Sequence, residues 1–447
     1  MYNMNPDLES ILFQDNPWLL NNEPSKEPLS PWLESHVPDP YIPREVGASM
    51  EHRWGRTSRA HLVIGPRQSG KSTVLWAHLA KRSEPVVFID CEQQLVRQWC
   101  SSAPLFLRDL EKLVDSSVAL FFDEVQHLEE GGLFIKGLVD RRQSAPVFVT
   151  GSSSFHLGAR TRESLAGRVT RNRLLPFSLS EITSQDTGAP LIKSRKKKEA
   201  FERHVTVGGY PNAWLSKTPE PILRELVEAF VLRDASDLFK IARPETFRKL
   251  LSLLARQVGS LVNLSEWASI LGVSRDTVRS YLSILEESHL VGTLQPFVGG
   301  RRSEITSRPK VYLMDNGLRS LLTRDFQPLT LRVDKGPCLE NWVYTELAKS
   351  FRYSVPINYW RSTSGAEVDF VVVLGEEILA VEVKASSIRH PRLPRSTRSF
   401  IEAYHPVKVL MVNLFLDQTE VLDKTEVKWL LPWELSNEIT KMIKAGK

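Results

Sequence analysis

Gly65-Pro66-Arg67-Gln68-Ser69-Gly70-Lys71-Ser72, followed by Thr73, has the spacing G-x-x-x-x-G-K-[ST] of a loop that cradles phosphates. Two glycines let the backbone wrap an anion closely, the lysine reaches the outer phosphates, and the serine hydroxyl ligates Mg²⁺. The run Gly65 to Thr73 is therefore expected to bind ATP with Mg²⁺. Asp123 and Glu124, at the end of an apolar run, supply the acidic partners. Asp123 would join Ser72 in holding the metal, while Glu124 would polarise the water that attacks the terminal phosphate. Ser152, beyond a further apolar run, would sense that phosphate; the competing reading is a hydroxyl-rich turn that caps the next helix. Arg168, in Glu163-Ser164-Leu165-Ala166-Gly167-Arg168, would either reach a neighbouring subunit's nucleotide as a finger, in a homo-oligomer, or pair on the surface.

A second constellation lies far downstream. Asp369 sits in Glu367-Val368-Asp369-Phe370, and Glu382 and Lys384 are two apart in Val381-Glu382-Val383-Lys384. Two carboxylates on paired strands can hold Mg²⁺, and an adjacent ammonium can orient or deprotonate a water for attack on a phosphodiester. Glu340 is the expected third metal ligand, from a helix. The competing readings are a salt-bridge cluster and a nuclease fold that no longer cuts.

These side chains need a frame. Ala60 to Ile64, Pro85 to Asp90, Ser117 to Phe122 and Ala145 to Thr150 read as buried parallel strands, with a helix from Thr73 to Ala80 whose N-terminal amides face the phosphates. For the second constellation, Glu367 to Leu374 and Ile378 to Lys384 read as a hairpin around Gly375-Glu376-Glu377, after an amphipathic helix carrying Leu339, Trp342, Val343 and Leu347. Between the two, Phe247 to Val291 has helix-turn-helix punctuation. Leu250, Leu251, Leu254 and Val258 make one face, Ser265 caps a short helix, Gly272-Val273 turns, and Ser274 caps the helix bearing Arg275, Val278, Arg279, Leu282, Ser283 and Leu285. Arg275, Arg279 and Ser283 would face DNA. Leu290 to Asp315 would form the wing, with Gly299-Gly300-Arg301-Arg302 at its tip; such folds also serve as plain protein-contact domains.

The 447 residues imply two to four domains. No apolar run approaches the ~20 residues of a membrane span, so no membrane partner is expected. Cys91, Cys100 and Cys338 are widely spaced, and a reducing cytoplasm is the expected location. The net charge of +5 hides an asymmetry, because Met1 to Glu45 carries −6 and leaves +11 to the remainder. A basic body is compatible with DNA as a partner, and equally with solvated surface. The acidic first segment holds eight prolines and reads as an extended arm or as disorder. Lys193 to Lys198 reads as a solvated basic run, and Gly208-Gly209-Tyr210-Pro211 as a turn before a lid-like helix. Arg389, Arg392, Arg395 and Arg398 recur every third residue, suggesting an extended arm along a phosphate backbone.

The chain resembles the prokaryotic AAA-type ATP-binding proteins that join an AAA ATPase to a C-terminal domain of unknown function with a PD-(D/E)xK-nuclease-like part. The residues carrying this are Gly65 to Thr73, Phe121 to Glu124, Thr150 to Ser154, Leu165 to Arg168, Gly208 to Trp214, Asp315 to Leu318, Glu340-Asn341, Tyr359-Trp360-Arg361, Glu367 to Phe370 and Glu382 to Lys384. The resemblance implies an α/β P-loop NTPase fold, AAA-like, with a parallel sheet and helices on both faces. A winged helix-turn-helix and a restriction-endonuclease-like α/β domain would follow. The expected divisions are 1–45 arm, 46–190 ATPase, 191–245 lid and linker, 246–315 winged helix, and 316–447 nuclease-like. The expected function is a Mg²⁺-dependent ATPase coupled to DNA, or else a nucleotide-gated switch or scaffold that cuts nothing.

Overall fold

An apolar pentapeptide such as Ala60-His61-Leu62-Val63-Ile64 forms a strand buried on both faces when helices cover a parallel sheet. In the computed structural model of the protein this strand, β1 (Ala60–Ile64), is buried at every position. The structure describes residues 4–20, 26–47, 59–81, 85–114, 118–141, 146–151, 165–231, 235, 241–299, 308–351, 355–387 and 390–445. They fall into two compact units, Met1–Leu175 and Pro176–Lys447.

The first unit is built on β1, β2 (Val86–Asp90), β3 (Ala119–Asp123), β4 (Val147–Gly151) and β5 (Val169–Arg173), all parallel, in the order β2-β3-β4-β1-β5. Insertion of β4 between β1 and β3 sets the carboxyl ends of these strands side by side, where ligands of such sheets bind. Helix α3 (Lys71–Leu79) follows β1 directly, with α4 (Gln94–Trp99), α5 (Ala103–Leu110) and α6 (Gly131–Arg141) on the connections. Phe106, Phe121, Phe122, Phe134 and Leu138 lie in its buried core.

The N-terminal segment departs from the extended arm expected of its prolines. It forms α1 (Pro6–Asp15), a 3-10 turn at Pro17–Leu20 and α2 (Lys26–Ser35). Pro6 starts α1, where its missing N–H costs nothing, and Asn5 caps it by accepting the Asp7 N–H at 2.9 Å. Leu8, Leu12, Trp18 and Leu33 join the unit's core. The Asn16 amide imitates a neighbouring strand: it donates to Phe88 O at 2.9 Å and accepts the Phe88 N–H at 2.7 Å, while Trp18 Nε1 donates to Val86 O at 3.0 Å. The open rim of β2 is thereby covered.

The second unit begins with α7 (Leu179–Ile182), α8 (Pro190–Val207), α9 (Pro211–Leu215) and α10 (Pro219–Ala229). The basic run lies on the exposed part of α8. Then come α11 (Pro244–Arg256), α12 (Leu264–Leu271) and α13 (Arg275–Glu287), joined by a left-handed Gly272 with φ 64°. The cap of α12 is Asn263, not Ser265, because Asn263 Oδ1 accepts the Glu266 N–H at 3.3 Å. Ser274 caps α13 as expected, accepting the Thr277 N–H at 3.1 Å. Strands β6 (Val291–Pro296) and β7 (Lys310–Leu313) pair antiparallel. The expected tip, Gly300 to Arg302, lies outside the described residues.

Helix α14 (Asn316–Thr323) and helix α15 (Lys335–Phe351) precede β8 (Ile357–Arg361), β9 (Glu367–Leu374) and β10 (Glu377–Lys384). After α16 (Arg395–Tyr404) come β11 (Lys408–Asn413), β12 (Gln418–Leu422), β13 (Thr425–Leu430) and α17 (Leu435–Ala445). One eight-stranded sheet, β12-β13-β11-β10-β9-β8-β6-β7, runs through the unit. The segments expected as winged helix and nuclease-like part therefore share a sheet, through the parallel pairing of β6 with β8. Arg395 and Arg398 lie in α16 rather than in an extended arm, since Pro394 takes the N-cap position and starts a helix there. Arg389 lies outside the described residues.

Candidate functional site

The loop between β1 and α3 is shaped by two backbone demands. Gly70 lies at φ 89°, open to glycine at no steric cost. Gly65 tolerates no side chain, because a Cβ there would stand 1.9 Å from Leu174 O. Lys71 is buried, donating to Pro66 O at 3.2 Å and lying 3.5 Å from Glu124 Oε1. Ser72 Oγ contacts both Asp123 carboxylate oxygens, at 2.8 and 2.9 Å. The sheet order thus brings the loop and the acidic pair together. Arg67 and His127 both face Glu92, at 3.9 and 3.5 Å.

Thr150 is the residue that sequence reasoning undervalued. At the end of β4, fully buried, its Oγ1 donates to Asp123 Oδ1 and accepts the Glu124 N–H at 2.9 Å. It fixes both acids from one hydroxyl. Glu124 is left-handed, φ 54°, and its carboxylate accepts from Gln126 Nε2. Arg44 was also missed, and no sequence pattern marks it. Its guanidinium donates to Ser69 O at 2.9 Å and to Leu175 O, bracing the loop from behind.

Electrostatics separate the two acids. Burial and the Glu124 charge push Asp123 up to about 6, against hydrogen bonds from Thr150 and Ser72 and the charge of Lys71. For Glu124 burial works upward, but Lys71, Gln126, Arg67 and His127 outweigh it and hold the carboxyl below its ordinary value. The residues present fit a nucleotide and its Mg²⁺: the buried Ser69 hydroxyl has no hydrogen-bond partner, and Ser72 and Asp123 are hard oxygen donors side by side. Arg168 pairs with Asp140 through Nε at 2.7 Å, partly exposed. Ser152 lies outside the described residues.

The second constellation assembles within the other unit. β9 and β10 pair antiparallel with Phe370 opposite Val381, so Asp369 and Glu382 meet, and the Val383 N–H donates to Asp369 Oδ2 at 2.8 Å. Lys384 Nζ lies 2.6 Å from Glu382 Oε1, while the buried Glu382 Oε2 has no hydrogen-bond partner. Glu340 on α15 accepts the Tyr312 hydroxyl at 2.6 Å and lies 3.7 Å from Lys310 Nζ. Lys310 was missed; from β7 it also pairs with Glu367, which Arg361 meets at 3.3 Å. Burial and the charge of Asp369 raise Glu340 and Glu382, and burial raises Asp369. Among the described residues no three His, Cys, Asp or Glu side chains converge as a metal-ligand group. The expected triad of Glu340, Asp369 and Glu382 therefore does not form as a ligand set, because Glu340 is engaged by Tyr312 and Lys310; Asp369 and Glu382 remain adjacent.

At the helix pair, a cleft of about 610 Å³ opens beside the Gly272 turn, bordered by Arg243, Ser274 and Arg275. Arg275 and Arg279 are exposed, with Arg279 meeting Asp276 at 2.7 Å, and Ser283 donates to Glu287. Among the described residues no helix is long and apolar enough to cross a membrane.

The parallel sheet, its glycine loop and the acidic pair define an AAA-type P-loop ATPase domain, and residues 57–183 match the family model described as an AAA domain. Residues 198–329 and 335–435 match two domains of unknown function (DUF8612 and DUF4143). An uncharacterized protein of Mycobacterium tuberculosis is 29% identical over 76% of this chain and 72% of its own. An uncharacterized protein of Haemophilus influenzae is 25% identical over 84% and 94%. Among solved structures, a Walker-type ATPase of Pyrococcus abyssi aligns with a TM-score of 0.42 and 16% identity, over 68% of this chain and 99% of that one.

Proposed function

We propose that the protein is a Mg²⁺-dependent ATPase whose hydrolysis drives a DNA-directed second unit. The observation that carries the first part is the Thr150 hydroxyl binding Asp123 and the Glu124 N–H together, which presents a metal-holding acid and a water-polarising acid to one loop. Mg²⁺ bound by Ser72 and Asp123 would neutralise charge on the outer phosphates. Lys71 would exchange Pro66 O and Glu124 for a phosphate oxygen, freeing Glu124 to take a proton from the attacking water. The water oxygen then bonds the γ-phosphorus, the bond to the β-bridging oxygen breaks, and ADP leaves with the electron pair. In a homo-oligomer Arg168 would swing from Asp140 toward a neighbour's nucleotide. ATP turnover, followed by phosphate release, should fall at least about a hundredfold in Lys71→Ala and in Glu124→Gln. Unchanged turnover in both would remove the reading.

For the second unit, the adjacent Asp369, Glu382 and Lys384 support phosphodiester hydrolysis of the PD-(D/E)xK type, and the exposed Arg275 and Arg279 support contact with a DNA groove. Supercoiled plasmid should be nicked with Mg²⁺ or Mn²⁺, and not by Asp369→Ala or Lys384→Ala. ATP-dependent conformational change without cleavage under either metal would favour the scaffold instead.

A further inference from the structure

We propose that the Lys310 ammonium is a built-in counter-ion of the carboxylate cluster, whose charge opposes a divalent cation at Asp369 and Glu382; this rests on reading that cluster as a cation site. Lys310 is 2% exposed, although it belongs to a four-residue strand at the edge of the sheet. Its Nζ pairs with Glu367, lies 3.7 Å from Glu340 Oε1 and sits 5.4 Å from the centre of the Tyr359 ring. Asp369 lies two residues from Glu367 on β9, on the same face of the strand, and is the third carboxylate beside this charge. On the other side of Asp369, Lys384 holds Glu382 Oε1, and the buried Glu382 Oε2 is left without a partner.

The charge count gives the reason for competition. Four carboxylates, Glu340, Glu367, Asp369 and Glu382, face three cations, Lys310, Lys384 and Arg361. With all four ionised the cluster thus carries one uncompensated negative charge, and a dication would overfill it. Without Lys310 the excess negative charge is two, which a dication neutralises. A buried ammonium keeps its place only while the negative charge around it exceeds the positive, so a dication at Asp369 and Glu382 adds positive charge beside the Glu340 and Glu367 carboxylates and weakens their hold on Lys310.

The test uses the full chain without nucleotide. Mn²⁺ is titrated into wild type, Lys310→Met, Lys310→Arg and each of these with Asp369→Asn, and free Mn²⁺ is followed by its paramagnetic resonance. Lys310→Met should bind Mn²⁺ at least about tenfold more tightly than wild type, since a like charge in the same carboxylate cluster has been removed. The gain should vanish with Asp369→Asn, and Lys310→Arg should stay near wild type. Asp369-dependent binding that is equal or weaker in Lys310→Met overturns the role of Lys310 and leaves the cation site standing. No Asp369-dependent binding in any variant overturns both. A second measurement needs no variant at Lys310: acylation of the wild-type amine by acetic anhydride, read by mass spectrometry, should accelerate several-fold when Mn²⁺ saturates the site, and an unchanged rate overturns the proposal.

Discussion

The backbone N–H of Glu124 ends on the side-chain oxygen of Thr150, 2.9 Å away on the neighbouring strand, and the same hydroxyl donates to Asp123. Replacing Thr150 with valine keeps the shape and deletes both bonds. One buried N–H and one carboxylate oxygen then lose a partner, which should cost about 30- to 100-fold in turnover with little change in KM for ATP. Thr150→Ser should retain most of the activity. Steady-state phosphate release on the two variants checks this, and equal rates would show that the hydroxyl has no part in aligning the acids.

Gly65 faces the Leu174 carbonyl so closely that a methyl group would have to move the end of β5. Gly65→Ala should destabilise the first unit by about 2–3 kcal/mol, as over-packing against backbone does. ATP affinity should fall with it. Urea unfolding and calorimetric titration of ATP measure the two effects separately.

The cluster around Asp369 sets a pH dependence. Burial and the Asp369 charge push Glu340 up to about 7 and Glu382 up to about 8, above their ordinary value of 4.5. A carboxyl that holds its proton more tightly when folded favours the native state only while protonated. The contribution is therefore intact below about pH 4.5 and is lost as pH rises through the folded values. In metal-free buffer the second unit's melting temperature should fall between about pH 5 and 8. Asp369→Asn, which removes the repelling charge, should flatten that slope. A slope unaltered by the substitution would place its origin elsewhere.

Asn16 predicts a local effect. Asn16→Ala leaves the Phe88 N–H and C=O without the amide that now pairs with both. A loss of about 1–3 kcal/mol is expected. Amide hydrogen exchange at Phe88 should accelerate well before the rest of β2 does.

Strands β1 to β4 of the first sheet were legible because each is a largely apolar run, and the phosphate loop because its spacing is read directly from the chain; β5, Val169-Thr170-Arg171-Asn172-Arg173, was not, because polar residues fill it. Thr150 escaped because its partners lie 26 and 27 residues away, on a strand that only the sheet order makes adjacent. Lys310 escaped for a related reason: in Lys310-Val311-Tyr312-Leu313 a lysine at a strand's start reads as solvated, and only packing of β7 against α15 encloses it. The hairpin carrying Asp369 and Glu382 was readable from alternation and a glycine turn, whereas the commitment of Glu340 to Tyr312 and Lys310 was not. The N-terminal prolines misled because composition does not say which of them begins a helix.

The lateral pairing of β6 with β8 means that the stretch carrying Arg275 and Arg279 and the stretch carrying Asp369 are not beads on a string. Severing the polypeptide near residue 330 would bare two raw rims of backbone donors and acceptors, each a template for indiscriminate association. Any attempt to inherit, borrow or express one part without the other begins with that wound.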